Sequence, residues 1–199
     1  MKLNKEGLKN HALWEEKGYQ LPKYDREKVA DATKKNPFWI HFGAGNIFRA
    51  FHANVVQNLL DAGVLERGLV VAEGYDYEII EKMNHPHDDY SILVTLKADG
   101  TMEKSVTGSV VESLELDSEN EKAFGRLKEI FASSSLQMAT FTITEKGYSV
   151  TDRQGEIVPD VKKDIESGPE KPCSYMGKVA SLLYTRFKNG RKQIAFVST

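Results

Sequence analysis

The feature that most constrains this chain is the junction at residues 38–63, where a short apolar run meets two closely spaced glycines and then an amphipathic segment. Phe38-Trp-Ile-His-Phe42 reads as a buried strand, because bulky apolar and aromatic residues dominate it and it ends abruptly at glycine. From Asn46 the apolar positions Ile47, Phe51, Val55 or Val56, and Leu59 or Leu60 recur at three-to-four spacing until Gly63. That pattern predicts a helix of about four turns closed by a left-handed glycine. Gly68-Leu-Val-Val-Ala72 is continuously apolar, as a strand buried on both faces would be. Strand, helix and strand in this order make a parallel βαβ unit.

The rest of the chain extends this rhythm. Residues 1–36 are polar and charge-rich, with a helix expected from about Asp25 to Lys35 before Asn36-Pro37 breaks it, and they read as a leader packed on a domain spanning 37–199. Tyr90 to Leu96 alternates like a strand, Ala98-Asp-Gly100 is turn chemistry, and Met102 to Leu116 reads as its returning partner, an antiparallel excursion. Ser118-Glu-Asn-Glu121 is a capping-box pattern opening a helix through about Phe131, and Met138 to Thr144 reads as another buried strand. Prolines and glycines make 149–174 mainly loop, with a short helix near Val161 to Ser167. Ser174 caps a helix to about Lys188, and Gln193 to Ser198 reads as a last buried strand. The expected fold class is α/β: a Rossmann-type, doubly wound, mainly parallel sheet with a small antiparallel excursion.

Composition narrows the function. With 199 residues, 40% hydrophobic and 28% charged, the chain has the make-up of one large folded domain and not of a disordered segment. Its 27 basic and 29 acidic residues are well mixed and give a net charge of -2, so there is no basic footprint for a nucleic-acid backbone. Apolar runs fall far short of the ~20 residues that span a bilayer, and Met1 to Asn10 has no apolar core of a leader peptide, so no membrane partner and a cytoplasmic location are expected. Cys173 is the single cysteine, which excludes an internal disulfide and a cysteine-built metal cage. His85-Pro-His-Asp-Asp89 has ligand-type side chains, but its proline makes it turn-like and no spaced partner helps, so no metal site is expected.

Chemistry concentrates around the glycines. Gly43 and Gly45 between a strand and a helix let the backbone turn tightly and approach a pyrophosphate lying on helix amides, which points to dinucleotide binding. Phe48 stands where the common fingerprint has a third glycine, which would hold the helix further from its strand. Arg49, in the first helical turn, either contacts phosphate or forms a salt bridge. At the end of the second strand Glu73 is the expected anchor of the adenosine ribose, with Asp76 as the fallback, although Glu73 lies further from Gly45 than the usual ~20 residues. Glu73, Asp76, Glu78 and Glu81 all precede the next basic residue, Lys82, and some of them would repel a 2′-phosphate, so the expected cofactor is NAD and not NADP. Thr144, Glu145 and Lys146 lie where a buried strand meets the carboxyl edge of the sheet and are expected at the cofactor. Lys146 is also a candidate for a substrate carboxylate. His41 and His52 flank the loop and read as packing histidines before catalytic bases.

At Phe42-Gly-Ala-Gly-Asn-Ile-Phe-Arg-Ala-Phe-His52, and again at Thr142-Ile-Thr-Glu-Lys-Gly-Tyr148, the chain resembles the mannitol dehydrogenase family of long-chain polyol and uronate dehydrogenases. The similarity runs from about residue 36 to the end, and two separated motifs in order are far more specific than Gly-x-Gly alone. In that family the glycine loop leads into an Arg-Ala pair, so Phe48 is no anomaly. The resemblance implies a zinc-independent, NAD-linked oxidation of a secondary alcohol in an open-chain sugar alcohol or sugar acid, or the reverse reduction. It implies cofactor roles for Gly43, Gly45, Asn46, Ile47, Phe48 and Thr144 to Lys146. The lysine at 146 is more like the branch whose substrate carries a carboxylate than the mannitol branch. Family members carry their catalytic lysine, with an assisting asparagine and histidine, in a helical carboxyl-terminal domain. No residue of this chain matches them, so no catalytic base is assigned and the chain alone is expected not to turn over. Apolar surface left where such a domain would dock would drive self-association; a stand-alone nucleotide-binding module would instead remain monomeric.

Overall fold

The structure is a computed structural model; it describes residues 1–190 and 192–198, with backbone only for Glu145 and Lys146. In chain order its elements are α1 (Lys5–Leu8), α2 (His11–Glu16), β1 (Tyr19–Gln20), α3 (Arg26–Lys35), β2 (Trp39–Phe42), a π-helical turn (Phe48–His52) running into α4 (Ala53–Asp61), and β3 (Leu69–Glu73). A second π-helical turn (Ile79–Asn84), a 3-10 turn (His85–His87), β4 (Ser91–Leu96), β5 (Met102–Thr107) and β6 (Val110–Glu115) follow. The chain continues through α5 (Glu121–Ala132), β7 (Met138–Phe141), α6 (Glu145–Tyr148), α7 (Pro159–Ser167), α8 (Tyr175–Lys188) and β8 (Ala195–Ser198).

Five strands form an all-parallel sheet in the order β6-β3-β2-β7-β8. The path runs outward from β2 through β3 to β6, then restarts on the other side of β2 with β7 and β8. This is the doubly wound Rossmann arrangement, and its switch point lies between β2 and β7. Phe42, the last residue of β2, is level with Ala72 on one side and Phe141 on the other, so loops 43–45, 73–76 and 142–144 leave the same edge.

Alternation along the strands sorts the core into two layers. Ile40, Phe42, Val70, Ala72, Ala139 and Phe141 face α5 and α8, meeting Phe124, Leu127, Phe131, Val179 and Leu182. Leu69, Val71, Val110 and Val111 face the other layer, built from Phe48, Ala53, Val56 and Leu60 together with Val29 and Ala30 of α3. Each of the larger side chains here contributes about 1.5–3 kcal/mol on leaving water, which is what holds helices on both faces.

The antiparallel excursion is present as β4 and β5, joined through Gly100 at φ +82°, and β1 adds to it in parallel, so the amino-terminal segment supplies a strand of a second, mixed sheet. Three expectations are corrected. The run from Met102 to Leu116 is two strands, not one: at Gly108-Ser109 the amide of Gly108 is taken by Gln57 Oε1 and the Ser109 hydroxyl by the Ala53 carbonyl, and the chain passes from the small sheet to the large one. The cap of α5 is Asn120, whose Oδ1 accepts from the Ala123 amide, because the Ser118 hydroxyl is committed to the Pro172 carbonyl. The last strand is at the sheet edge and exposed along its length, not buried.

Candidate functional site

The site is built where β2, β3 and β7 end. Gly43 leaves β2 with φ +108°, a region L side chains avoid, and its amide still donates to the Ala72 carbonyl at 2.8 Å. A β-carbon there would lie 2.7 Å from the Thr142 carbonyl oxygen, so only glycine lets the loop pass this close to β7. Gly45 is different: nothing lies within 4 Å of its missing β-carbon. The protein itself needs no glycine at 45, whereas a ligand approaching the backbone would.

The first bond of the following helix runs from the Arg49 amide to the Gly45 carbonyl at 3.2 Å, which leaves the amides of Asn46, Ile47 and Phe48 in the unpartnered first turn. Such a turn attracts anions. Arg49 adds a guanidinium: Nη2 donates to Asn46 Oδ1 at 2.6 Å, while Nη1 is buried without a hydrogen-bond partner. Among the described residues no ion pair holds Arg49, so the salt-bridge alternative is not realised. An open glycine, free helix amides and a guanidinium whose Nη1 has no partner together fit a phosphate-bearing ligand.

Glu73 closes the second side. It is buried at 6% exposure. Oε2 accepts the Ala44 amide at 2.7 Å, and Oε1 accepts the amides of Gly74 at 3.0 Å and Tyr75 at 2.9 Å. The carboxylate therefore ties the loop after β3 to the glycine loop. Asp76, Glu78 and Glu81 are exposed beyond it, and Lys82 pairs with Glu78 at 2.8 Å.

Beneath the loop lies a buried polar cluster. His41 is fully buried; Nδ1 is 2.6 Å from Thr140 Oγ1 and Nε2 is 2.8 Å from Thr142 Oγ1. Its ring stacks on Phe48 with centroids 4.4 Å apart and lies 4.7 Å from that of His52. Burial, with the neighbouring His52 second, lowers the His41 pKa to about 3, so the ring is neutral. Both ring nitrogens have hydroxyl partners, and the ring is packed between strand and helix.

Of the residues singled out from sequence, Gly43, Gly45, Asn46, Ile47, Arg49 and Glu73 are gathered at this edge, with Thr144 on the adjoining loop. Phe48 places its side chain in the core, leaving only its amide for a ligand. Ile47 is 69% exposed. Thr144 is exposed, and its carbonyl accepts the Gly147 amide at 2.9 Å. The side chains of Glu145 and Lys146 lie outside the described residues. His85 to Asp89 is spent on tethering: His87 Nδ1 bonds the Leu3 carbonyl, Asp88 accepts the Lys5 amide and Asp89 accepts the Ser113 hydroxyl. Among the described residues no group of three His, Cys, Asp or Glu is placed to hold a metal ion, and no helix is long and apolar enough to cross a membrane.

Thr140 escaped the reading from sequence, and Thr142 opened the second motif without being given a role. Their signal was the threonine at every second position, 140, 142 and 144, in an otherwise apolar run, which puts hydroxyls on one face of a buried strand.

A doubly wound parallel sheet with a glycine loop at its switch point is a Rossmann-type fold. The same fold occurs in Pseudomonas fluorescens mannitol 2-dehydrogenase in ternary complex with NAD and D-mannitol, at a TM-score of 0.79 and 23% identity, over 100% of this chain and 38% of that one. D-mannonate oxidoreductase of Thermotoga maritima is 48% identical over 198 residues, 100% of this chain and 36% of the relative. Polyol:NADP oxidoreductase of Gluconobacter oxydans is 27% identical over 186 residues, 90% of this chain and 36% of the relative. No family model matches the chain. Along its whole length the chain is similar to these oxidoreductases, in line with the resemblance to the mannitol dehydrogenase family carried by its two motifs. It spans little more than a third of the length of the curated relatives it matches.

Proposed function

We propose that this chain is the NAD-binding part of an oxidoreductase that interconverts D-mannonate and D-fructuronate. The observation that carries the reading is the glycine loop at the switch point in a chain 48% identical, along its whole length, to a D-mannonate oxidoreductase. In this reading Gly43 and Gly45 admit the pyrophosphate, the amides of Asn46, Ile47 and Phe48 receive its charge, and the free Nη1 of Arg49 takes a phosphate oxygen. Glu73 Oε2 holds the Ala44 amide and has acceptor capacity left for a ribose hydroxyl. Thr144, Glu145 and Lys146 border the nicotinamide side, and Lys146 meets the substrate carboxylate.

Bound NAD supplies the hydride acceptor for the alcohol carbon. This chain holds and orients; the alcohol proton leaves to a base supplied by the rest of a full-length enzyme. The exposed carboxylates Asp76 and Glu81 favour NAD over NADP by repelling a 2′-phosphate. The reading is of a cytoplasmic enzyme, in which a lone thiol such as Cys173 stays reduced.

The test is NADH oxidation by a full-length protein carrying this segment, with D-fructuronate against D-fructose. Preferred turnover of fructuronate supports the reading; turnover of fructose alone assigns the protein to the mannitol branch and overturns it. Light scattering on the isolated chain tests the remaining part, since self-association is expected through exposed apolar residues such as Phe187 and Phe196, at 50% and 42% exposure.

A further inference from the structure

We propose that Thr142 is a cofactor-contacting residue, and that a buried relay through Trp39, Thr140 and His41 aims its hydroxyl proton at the dinucleotide. The proposal rests on the NAD-binding reading above and adds a residue to that site.

The direction of the relay follows from its first member. Trp39 Nε1–H can only donate, and it does so to Thr140 Oγ1 at 2.8 Å. Thr140 is 3% exposed, and its own proton has an acceptor at hand in His41 Nδ1, 2.6 Å away. The opposite arrangement would make Thr140 accept twice and leave a buried hydroxyl proton unused, which native interiors avoid. His41 is neutral and carries one ring proton, which is then on Nε2 and is donated to Thr142 Oγ1 at 2.8 Å. Thr142 accepts from His41 and keeps its own proton for something else. Among the described residues its hydroxyl bonds only His41.

That hydroxyl is at the switch point. Thr142 follows β7 directly, its amide donates to the Phe42 carbonyl at 3.0 Å, and Oγ1 lies 3.1 Å from where a β-carbon on Gly43 would be. A dinucleotide crossing between the ends of β2 and β7 offers phosphate and ribose oxygens as acceptors there. Thr142 is half-buried, and its one hydrogen bond among the described residues leaves the hydroxyl proton available to a ligand at this edge.

Two measurements test this on the chain. Nitrogen-15 NMR of the His41 imidazole should show the Nε2–H tautomer with or without ligand; an Nδ1–H tautomer overturns the relay. NADH fluorescence titration should show about tenfold weaker binding for Thr142→Val and binding within about twofold of wild type for Thr142→Ser. Thr142→Val also takes the acceptor from the buried His41 Nε2–H and should lower the melting temperature, whereas Thr142→Ser keeps it, so titrations are made where each variant is folded. Thr142→Val binding as tightly as wild type overturns the contact while leaving the NAD reading intact. A folded wild-type chain that binds no NADH removes both.

Discussion

The Glu73 carboxylate at the end of β3 accepts the Ala44 amide of the glycine loop at 2.7 Å, a buried bond between the two loops that define the candidate cofactor site. The same carboxylate also takes the amides of Gly74 and Tyr75. Glu73→Ala leaves these donors unpartnered, and the expected loss is about 2–4 kcal/mol in urea unfolding. Glu73→Gln keeps one acceptor oxygen and should lose less. An alanine variant as stable as wild type would show that water replaces the carboxylate without penalty.

The two glycines should respond oppositely to substitution. Gly43→Ala forces a β-carbon to within 2.7 Å of the Thr142 carbonyl at φ +108°, and should destabilise by about 2 kcal/mol or more. Gly45→Ala meets open space, so stability should stay within about 0.5 kcal/mol while NADH affinity falls. Paired thermal melts and nucleotide titrations separate the two; equal effects on stability would contradict the distinction.

His41 makes stability pH-dependent. Its folded pKa is lowered to about 3, below the ~6.5 of an unfolded histidine, so the unfolded chain takes up a proton that the native one refuses. The contribution is complete above pH ~6.5 and is lost as the pH falls from there towards about 3, with a slope of up to ~1.4 kcal/mol per unit. Denaturant midpoints measured from pH 7 to pH 4 should show this fall, and His41→Gln, which cannot titrate, should show a shallower one.

Arg186 on α8 donates to five carbonyls: Lys192 from Nε, Phe131 and Ser133 from Nη1, and Leu136 and Gln193 from Nη2. It joins the end of α5 to the approaches of β7 and β8. Lysine has three donors and no planar fork, so Arg186→Lys should cost about 3 kcal/mol in chemical denaturation. A loss under about 1 kcal/mol would mean the fork is replaceable.

Much of this was legible in the sequence because the signals are local. The Phe38-to-Gly63 pattern needs only strand, glycine and helix periodicities, and Asp25 and Ser174 cap the helices their positions suggested. The unread parts depend on distant partners. Ser118 looked like a cap but is claimed by Pro172, and the strand read through Met102 to Leu116 divides because Gln57 and Ala53, far back in the chain, hold Gly108 and Ser109. The exposure of β8 follows from its place in the strand order, which periodicity does not encode. Phe48 stands where the common fingerprint has its third glycine; its ring stacks on His41 and is buried beneath a π-helical turn. The His41–Thr142 pair is likewise a contact across two strands, seen only once their register is known.

The central claim, that these loops form an NAD site, is tested most directly by fluorescence titration of the purified chain with NADH and, separately, NADPH. The account predicts saturable NADH binding, weaker binding of NADPH, and loss of NADH affinity in Glu73→Ala under conditions where that variant remains folded. A chain with the native far-ultraviolet and tryptophan signals that binds neither nucleotide, or binds NADPH as well as NADH, would contradict it.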